Sequence, residues 1–290
     1  MQLPDYIKKQ EITRLVTWSL AEDLGGTVDS AYDLTAQLIA PDTQATAVVI
    51  TREPMVLCGQ LWAEEVCTQI DTGLQCVWHA QDGESLQANQ SILTLSGNAR
   101  AILTAERSIL NLLQTLSATA TQTQHYVTLL GNTKTQLLDT RKTIPGLRLA
   151  QKYAVLCGGG TNHRVGLFDA FLIKENHIAA CGSIMAAVNK AREIAPEKPV
   201  EVEVETIAEF TQAIDAKADI IMLDNFPLHL IQQAVELNQG RSKLEVSGNI
   251  TDEDLPLLAA TGVDFISSGA LTKHVRAIDL SLRLTMKSIS

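Results

Sequence analysis

Apolar residues between Thr43 and Ser96 fall in short runs, Ala45 to Thr51, Cys76 to Trp78 and Ser91 to Ser96. Runs of that length predict strands, and the stretch Leu61 to Gln69 between the first two carries helical spacing. Together they predict a small α/β domain. From Ala99 to about Leu130 the rhythm lengthens, with Ile102, Ile109, Leu110, Leu113 and Leu116 recurring at helical intervals and no proline among them. One long helix is predicted there, ending at Gly131 and Asn132.

Beyond that helix the pattern becomes a repeat of strand, loop and helix, with strands at TQLLD, DAFLIK, VEVEVE, ADIIMLD, KLEVSG and VDFISSG. Helical segments alternate with them at Leu147 to Cys157, Ser183 to Glu193, Ile207 to Ala216, Pro227 to Asn238 and Asp252 to Ala260, so neighbouring strands should run parallel. Each strand finishes in a polar group: Asp139 and Thr140 with Arg141 and Lys142, then Lys174, Glu203, Asp224, Ser247 and Ser268. Functional groups at the carboxyl ends of many strands predict an α/β barrel with fewer than eight strands, whereas an open sheet concentrates them at one switch point. Neither a G-x-G-x-x-G after the first strand nor a G-x-x-x-x-G-K-[ST] occurs, which weakens the nucleotide-fold alternatives.

The formal net charge of -10 argues against a broad basic surface for nucleic acid, so any phosphate must be held by a local cluster of cations. The first residues, MQLPDYIKKQEITRLVTWSL, contain no signal-like or membrane-spanning apolar run, which makes the cytoplasm the default location. Cys58, Cys67, Cys76, Cys157 and Cys181 are widely spaced without a C-x-x-C pair and are expected to be reduced thiols.

The densest chemistry lies in DTRKTIPGLR, from Asp139 to Arg148, followed by GGGTNHR, from Gly158 to Arg164. Arginine forks match carboxylates and phosphates, and lysine adds a movable point charge, so this cluster points to a multiply anionic substrate. Gly158 alone reads as a helix C-cap, while three glycines in a row suggest a loop that approaches a ligand. Lys174, after an apolar strand, needs a partner or ligand to offset its desolvation, and a Schiff base is the rival use. In VEVEVE the carboxylates Glu201, Glu203 and Glu205 share one face, either a barrel interior or a solvated edge. Asp224 closes an apolar central strand, and with Glu203 it has the chemistry to hold a magnesium ion or to accept from sugar hydroxyls. Ser247, Gly248, Ser267, Ser268 and Gly269 close the last two strands, where barrels commonly bind phosphate.

The run TRKTIPGLRLAQKYAVLCGGGTNHRVGLFDAFLIKENHI, with EVEVE, IIMLDNF, the two Ser-Gly loops and the helix motif ERSILNLL, resembles the quinolinate phosphoribosyltransferases over nearly the whole chain. That resemblance implies an N-terminal open-faced α/β sandwich over residues 1–115, completed by 273–290, and a barrel over 116–272. It also implies an enzyme that joins quinolinate to phosphoribosyl pyrophosphate in NAD biosynthesis, releasing pyrophosphate and carbon dioxide. Arg107, Thr140, Arg141, Lys142, His163, Arg164 and Lys174 are then expected around the quinolinate carboxylates and the phosphates. Glu203 and Asp224 face the ribose and Mg2+, and Ser247, Gly248, Asn249, Ser268, Gly269 and Ala270 receive the 5-phosphate. Lys142, Lys174, Glu203 and Asp224 carry the catalytic expectation. Asn249 and Ala270 depart from more glycine-rich versions of the two loops. Homodimers with shared sites, or larger assemblies, are implied, with Arg107 crossing the boundary. The alternatives are a paralogue acting on another acid, a Schiff-base barrel aldolase, and a non-catalytic phosphate-binding regulator.

Overall fold

The computed structural model describes residues 3–286. Its elements in chain order begin with α1 (Lys9–Asp23), β1 (Gln44–Thr51), β2 (Met55–Val56), α2 (Gln60–Ile70), β3 (Gln75–Trp78), β4 (Ser85–Leu86), β5 (Ser91–Asn98) and α3 (Ala99–Leu129). Then come β6 (Gln136–Leu138), α4 (Arg148–Cys157), β7 (Phe171–Ile173), α5 (Glu175–Cys181), α6 (Ile184–Ile194), β8 (Val200–Val204), α7 (Ile207–Asp215) and β9 (Ile220–Asp224). The chain closes with α8 (Leu228–Asn238), β10 (Lys243–Ser247), α9 (Asp254–Ala259), β11 (Phe265–Ser267), α10 (Ala270–Lys273) and β12 (Leu280–Met286). Two compact units result, the first comprising residues 3–123, 144–159 and 274–286 and the second 124–143 and 160–273.

In the first unit an antiparallel sheet runs in the order β12-β1-β5-β3. Along β1 the pleat buries Ala45, Ala47 and Val49 while Thr46, Val48 and Ile50 stay half-buried, the one-sided burial of an open-faced sandwich. The buried face joins a core with Val16 and Leu20 of α1, Trp62 and Val66 of α2, and Ile102, Ile109 and Leu113 of α3. The C-terminal strand β12 completes this sheet against β1, while residues 1, 2 and 287–290 of the expected domain lie outside the described residues.

α4 departs from expectation. Read as a helix of the barrel, it belongs to the first unit: Tyr153 is 1% exposed, stacks on Trp62 with ring centroids 5.4 Å apart, and donates its hydroxyl to Asp82 at 3.0 Å. Asp82 also accepts from the backbone N–H groups of Gly59 and Gln60, at 2.9 and 3.2 Å, satisfying the open amino terminus of α2. The boundary at residue 116 moves accordingly to a division inside α3 at Thr123, with 144–159 returned to the first unit. Gly158 is the C-cap of α4 and Gly159 turns the chain with φ of +85°, so these glycines end a helix.

The second unit holds six parallel strands in the order β6-β11-β10-β9-β8-β7. From β7 to β11 each strand lies beside the next in sequence, and the last returns to the first, which is the cyclic order of a barrel. No ladder joins β6 to β7 among the described residues, and Thr161 bridges to Leu138 at that open edge. Val200, Val202, Val204, Ile221, Leu223 and Ile266 are at most 1% exposed on the strand faces opposite those that carry the polar side chains. Fully burying such a side chain stabilises by about 1.5–3 kcal/mol relative to leaving it in water. The faces of the alternate residues are thereby committed to the barrel interior.

Candidate active site

Because side chains alternate along each strand, residues two apart share a face. Leu172 and Lys174, Met222 and Asp224, and Glu245 and Ser247 accordingly line one cavity of about 430 Å³ at the carboxyl ends of the strands, together with Glu203 and Ser267. Thr140, Arg141, Lys142, His163 and Arg164 complete its wall. Every cation that the strand-end pattern singled out in the second unit is therefore in one place.

Local bonds explain how the loops reach it. Thr140 Oγ1 accepts from the N–H of Lys142 at 3.0 Å, turning the chain after β6, and the Lys142 carbonyl accepts from Thr272 Oγ1 at 2.9 Å. The buried Asp139 holds the following loop, accepting from the N–H of His163 at 2.9 Å and from Asn162 Nδ2 at 2.7 Å. Asp139 is thus a tether for the loop. Arg164 Nη1 reaches the Ala170 carbonyl at 3.3 Å, and Asp169 accepts from the N–H groups of Val165 and Gly166.

Arg164 sits close enough to Arg141 to be destabilised by it: burial first, and the neighbouring guanidinium second, hold its pKa below the usual arginine value, while Glu201 and Asp169 act in the other direction. Two arginines forced together in a half-buried wall favour an anion between them. Lys174 forms an ion pair with Glu203, and Asp224 accepts from Ser247 Oγ and from Asn225 Nδ2, both at 2.8 Å.

Gly248 and Asn249 open onto an adjoining hollow of about 330 Å³ that shares Ser247 with the main cavity. Gly248 has φ of +144°, and a Cβ there would lie 2.7 Å from Asn225 Oδ1, so only glycine fits this approach. A Cβ at Gly269 would lie 2.9 Å from Lys142 Cδ, which ties that glycine to the lysine stem. Ser268 is buried, its N–H donating to the Leu138 carbonyl at 3.1 Å and its hydroxyl accepting from the N–H of Ala270 at 3.3 Å. Two expected residues belong to the first unit: Arg107 is exposed on α3, and Arg148 opens α4. Sequence reading missed Glu245, although alternation from Ser247 places it on the inward face of β10. It also left open the direction of Glu201, which is 2% exposed.

A larger hollow of about 830 Å³ lies at the opposite, amino-terminal ends of the strands. Two ion pairs lie at that end, Arg192 with Asp219 at 2.8 Å and Lys243 with Asp264 at 2.6 Å, and the same carboxylates accept from the N–H groups of Val200 and Leu244. In a barrel that end serves stability and the other end chemistry. The cations and carboxylates at the carboxyl end of this barrel have the chemistry to bind a multiply anionic ligand.

Comparison with known proteins narrows the class. Residues 33–117 match the family model "Quinolinate phosphoribosyl transferase, N-terminal domain", and residues 119–283 match its C-terminal domain counterpart. A probable nicotinate-nucleotide pyrophosphorylase [carboxylating] of Bacillus subtilis is 40% identical over 281 residues, covering 97% of this chain and 96% of that protein. The Mycobacterium leprae nicotinate-nucleotide pyrophosphorylase [carboxylating] is 42% identical over 258 residues, covering 87% and 91%. The solved structure of the Francisella tularensis nicotinate-nucleotide pyrophosphorylase superposes with a TM-score of 0.92 at 54% identity, covering 98% of this chain and 100% of that one. The chain belongs to the quinolinate phosphoribosyltransferase family. That membership makes it an enzyme and does not favour the aldolase. The human nicotinic acid phosphoribosyltransferase, at 14% identity and a TM-score of 0.61, shares the fold alone, so the fold by itself does not choose the acid. No helix among the described residues is long and apolar enough to cross a membrane.

Proposed function

We propose that this protein transfers the phosphoribosyl group of phosphoribosyl pyrophosphate to quinolinate, with decarboxylation, giving nicotinate mononucleotide, pyrophosphate and carbon dioxide in NAD biosynthesis. The observation that carries this reading is the single cavity lined by Arg141, Lys142, Arg164 and Lys174 on one side and by Glu203, Asp224 and Ser247 on the other. Departure of pyrophosphate leaves positive charge on the ribose, so the step needs cations at the leaving group and carboxylates at the sugar, fixed beforehand. Quinolinate's pyridine nitrogen attacks the anomeric carbon. Once ribosylated it is a pyridinium, which accepts the electron pair left when the adjacent carboxylate departs as carbon dioxide, and a proton then takes its place on the ring. No further organic cofactor is required by that chemistry.

Arg141, Arg164, Lys142 and Lys174 bind the quinolinate carboxylates and the phosphates in this reading, and Ser247, Gly248, Asn249, Ser268, Gly269 and Ala270 receive the 5-phosphate through hydroxyls and backbone N–H groups. The donor set suits Mg2+, which typically binds through one or two carboxylates plus substrate phosphates. Glu203 and Asp224 would hold it, their oxygens now accepting from Lys174, Ser247 and Asn225. Such an ion supplies charge neutralisation at the pyrophosphate. We place the enzyme in the cytoplasm as a homodimer in which Arg107 of one subunit completes the other's quinolinate pocket. Supplying quinolinate labelled in the 2-carboxyl carbon, phosphoribosyl pyrophosphate and Mg2+ should release labelled carbon dioxide with phosphoribosyl pyrophosphate dependence, and excess chelator should stop it. Labelled product without phosphoribosyl pyrophosphate, or none with it, contradicts the reading. The shared site has its own test. Inactive Arg107→Ala and Lys174→Ala chains, refolded together, should regain about a quarter of wild-type activity through mixed dimers with one intact site. No recovery in verified mixed dimers would return Arg107 to its own subunit.

A further inference from the structure

Beneath the arginines the cavity floor carries a group that the reaction does not call for. Glu201 of β8 and Glu245 of β10 are 2% and 0% exposed, and both approach one imidazole. His163 Nε2 lies 2.9 Å from Glu201 Oε2 and 3.5 Å from Glu245 Oε2. Its other nitrogen, Nδ1, accepts the backbone N–H of Arg164 at 2.7 Å. A ring nitrogen that accepts carries no proton, so the proton of this imidazole is on Nε2, and it is donated to Glu201. Both nitrogens are thereby engaged with protein groups, one of them the backbone of an arginine in the cavity wall.

A carboxyl group as deeply buried as Glu245, 3.5 Å from the imidazole and close to a second carboxylate, resists carrying charge. Burial, and next the charge of Glu201, push the pKa of Glu245 up to about 8, and His163 and Ser267 also face it. Those three, from β8, the loop after Thr161 and β11, are the polar groups that bear on it. At neutral pH Glu245 therefore keeps its proton. Glu201 Oε1 and both side-chain oxygens of Glu245 have no hydrogen-bond partner among the described residues. The remaining charge, on Glu201, acts favourably on Arg164, whose place beside Arg141 is otherwise costly.

We infer that Glu245, Glu201 and His163 form a buried positioning relay that holds the Arg164 segment, and with it the Arg164 guanidinium, in place for an anionic substrate. The inference rests on the reading of Arg164 as a substrate ligand. It assigns His163 a role behind the arginine in place of a donor to quinolinate, and it makes Glu245 a positioning residue whose neutral form is the working one.

The relay is tested with kcat and KM for quinolinate from about pH 6 to about pH 9.5, in wild type, Glu245→Gln and Glu201→Gln. Glutamine keeps the shape of Glu245 and carries no charge at any pH, so Glu245→Gln should lose the wild type's alkaline decline centred near pH 8. Glu201→Gln should raise KM for quinolinate by about tenfold or more while kcat changes by less than about threefold, because what is lost is the orientation of a binding group. The second readout needs no turnover: the 15N shifts of the His163 ring should report one neutral tautomer, protonated at Nε2, that persists in Glu245→Gln and is lost in Glu201→Gln. A Glu245→Gln enzyme that keeps the alkaline decline, an unchanged KM in Glu201→Gln, or a His163 ring protonated at both nitrogens would overturn the relay. One stoichiometric metal ion, retained through dialysis and lost in Glu245→Gln, would overturn it too, since the three side chains are close enough to ligate one. Should wild type fail to use quinolinate at all, the proposed reaction falls, and the ring shifts still decide the relay.

Discussion

The two ends of the same six strands carry charge of opposite use. At the amino end each lysine or arginine in the hollow that forms an ion pair has its own carboxylate, and that carboxylate also satisfies a backbone N–H, as Asp219 does for Val200 and Asp264 for Leu244. At the carboxyl end Arg141 and Arg164 repel one another across a cavity wall, and the smaller volume holds the more strained electrostatics. Volume therefore misleads, and like charges held together await a ligand.

That contrast is broken first at the lysines. Lys142→Ala and Lys174→Ala should each lower kcat/KM by about tenfold to about a few thousandfold, from about 2–5 kcal/mol of lost transition-state contact. Lys243→Ala at the amino end should stay within about threefold, being an exposed partner in a surface ion pair. Equal losses at the two ends, measured by steady-state kinetics, would erase the distinction. Gly248→Ala is the intermediate case. Its new methyl would displace Asn225, a partner of Asp224, and we expect KM for phosphoribosyl pyrophosphate to rise by about tenfold with kcat within about threefold. An unchanged KM would remove the Gly248 loop from the 5-phosphate site. Asp219→Ala should have the smallest kinetic effect, within about threefold, yet lower stability by about 1–2 kcal/mol in chemical denaturation because the Val200 N–H loses its acceptor. A kinetic loss without a stability loss would reverse the assignment of that end.

Much of this contrast was legible in the sequence, for a physical reason. An apolar run that closes on Asp, Lys or Ser is expensive unless its end faces solvent or a ligand, so all six barrel strands and the catalytic end could be read from where the runs stopped. The same argument did not reach Glu245, which sits inside KLEVSG between Leu244 and Val246, where a single carboxylate looks like an ordinary alternation. Its burial is a property of barrel closure, in which β8 and β10 flank β9. The helix α4 was recognised as a helix and misassigned to the barrel, because amphipathic spacing says that a face is buried and not what buries it. The contacts of Tyr153 with Trp62 and Asp82 join residues separated by a long stretch of chain, and no local pattern encodes them. Arg107 is a different case: its expected role comes from family resemblance, and neither its helix nor its exposure singles it out.

The central claim is that the cations at the carboxyl end are matched to a dicarboxylate, and the most direct measurement is the ratio of kcat/KM for quinolinate to that for nicotinate at saturating phosphoribosyl pyrophosphate. Nicotinate lacks the second carboxylate and leaves cations of the half-buried wall without their counter-charge, so the ratio should be about a hundred or more. Comparable values for the two acids would contradict the claim.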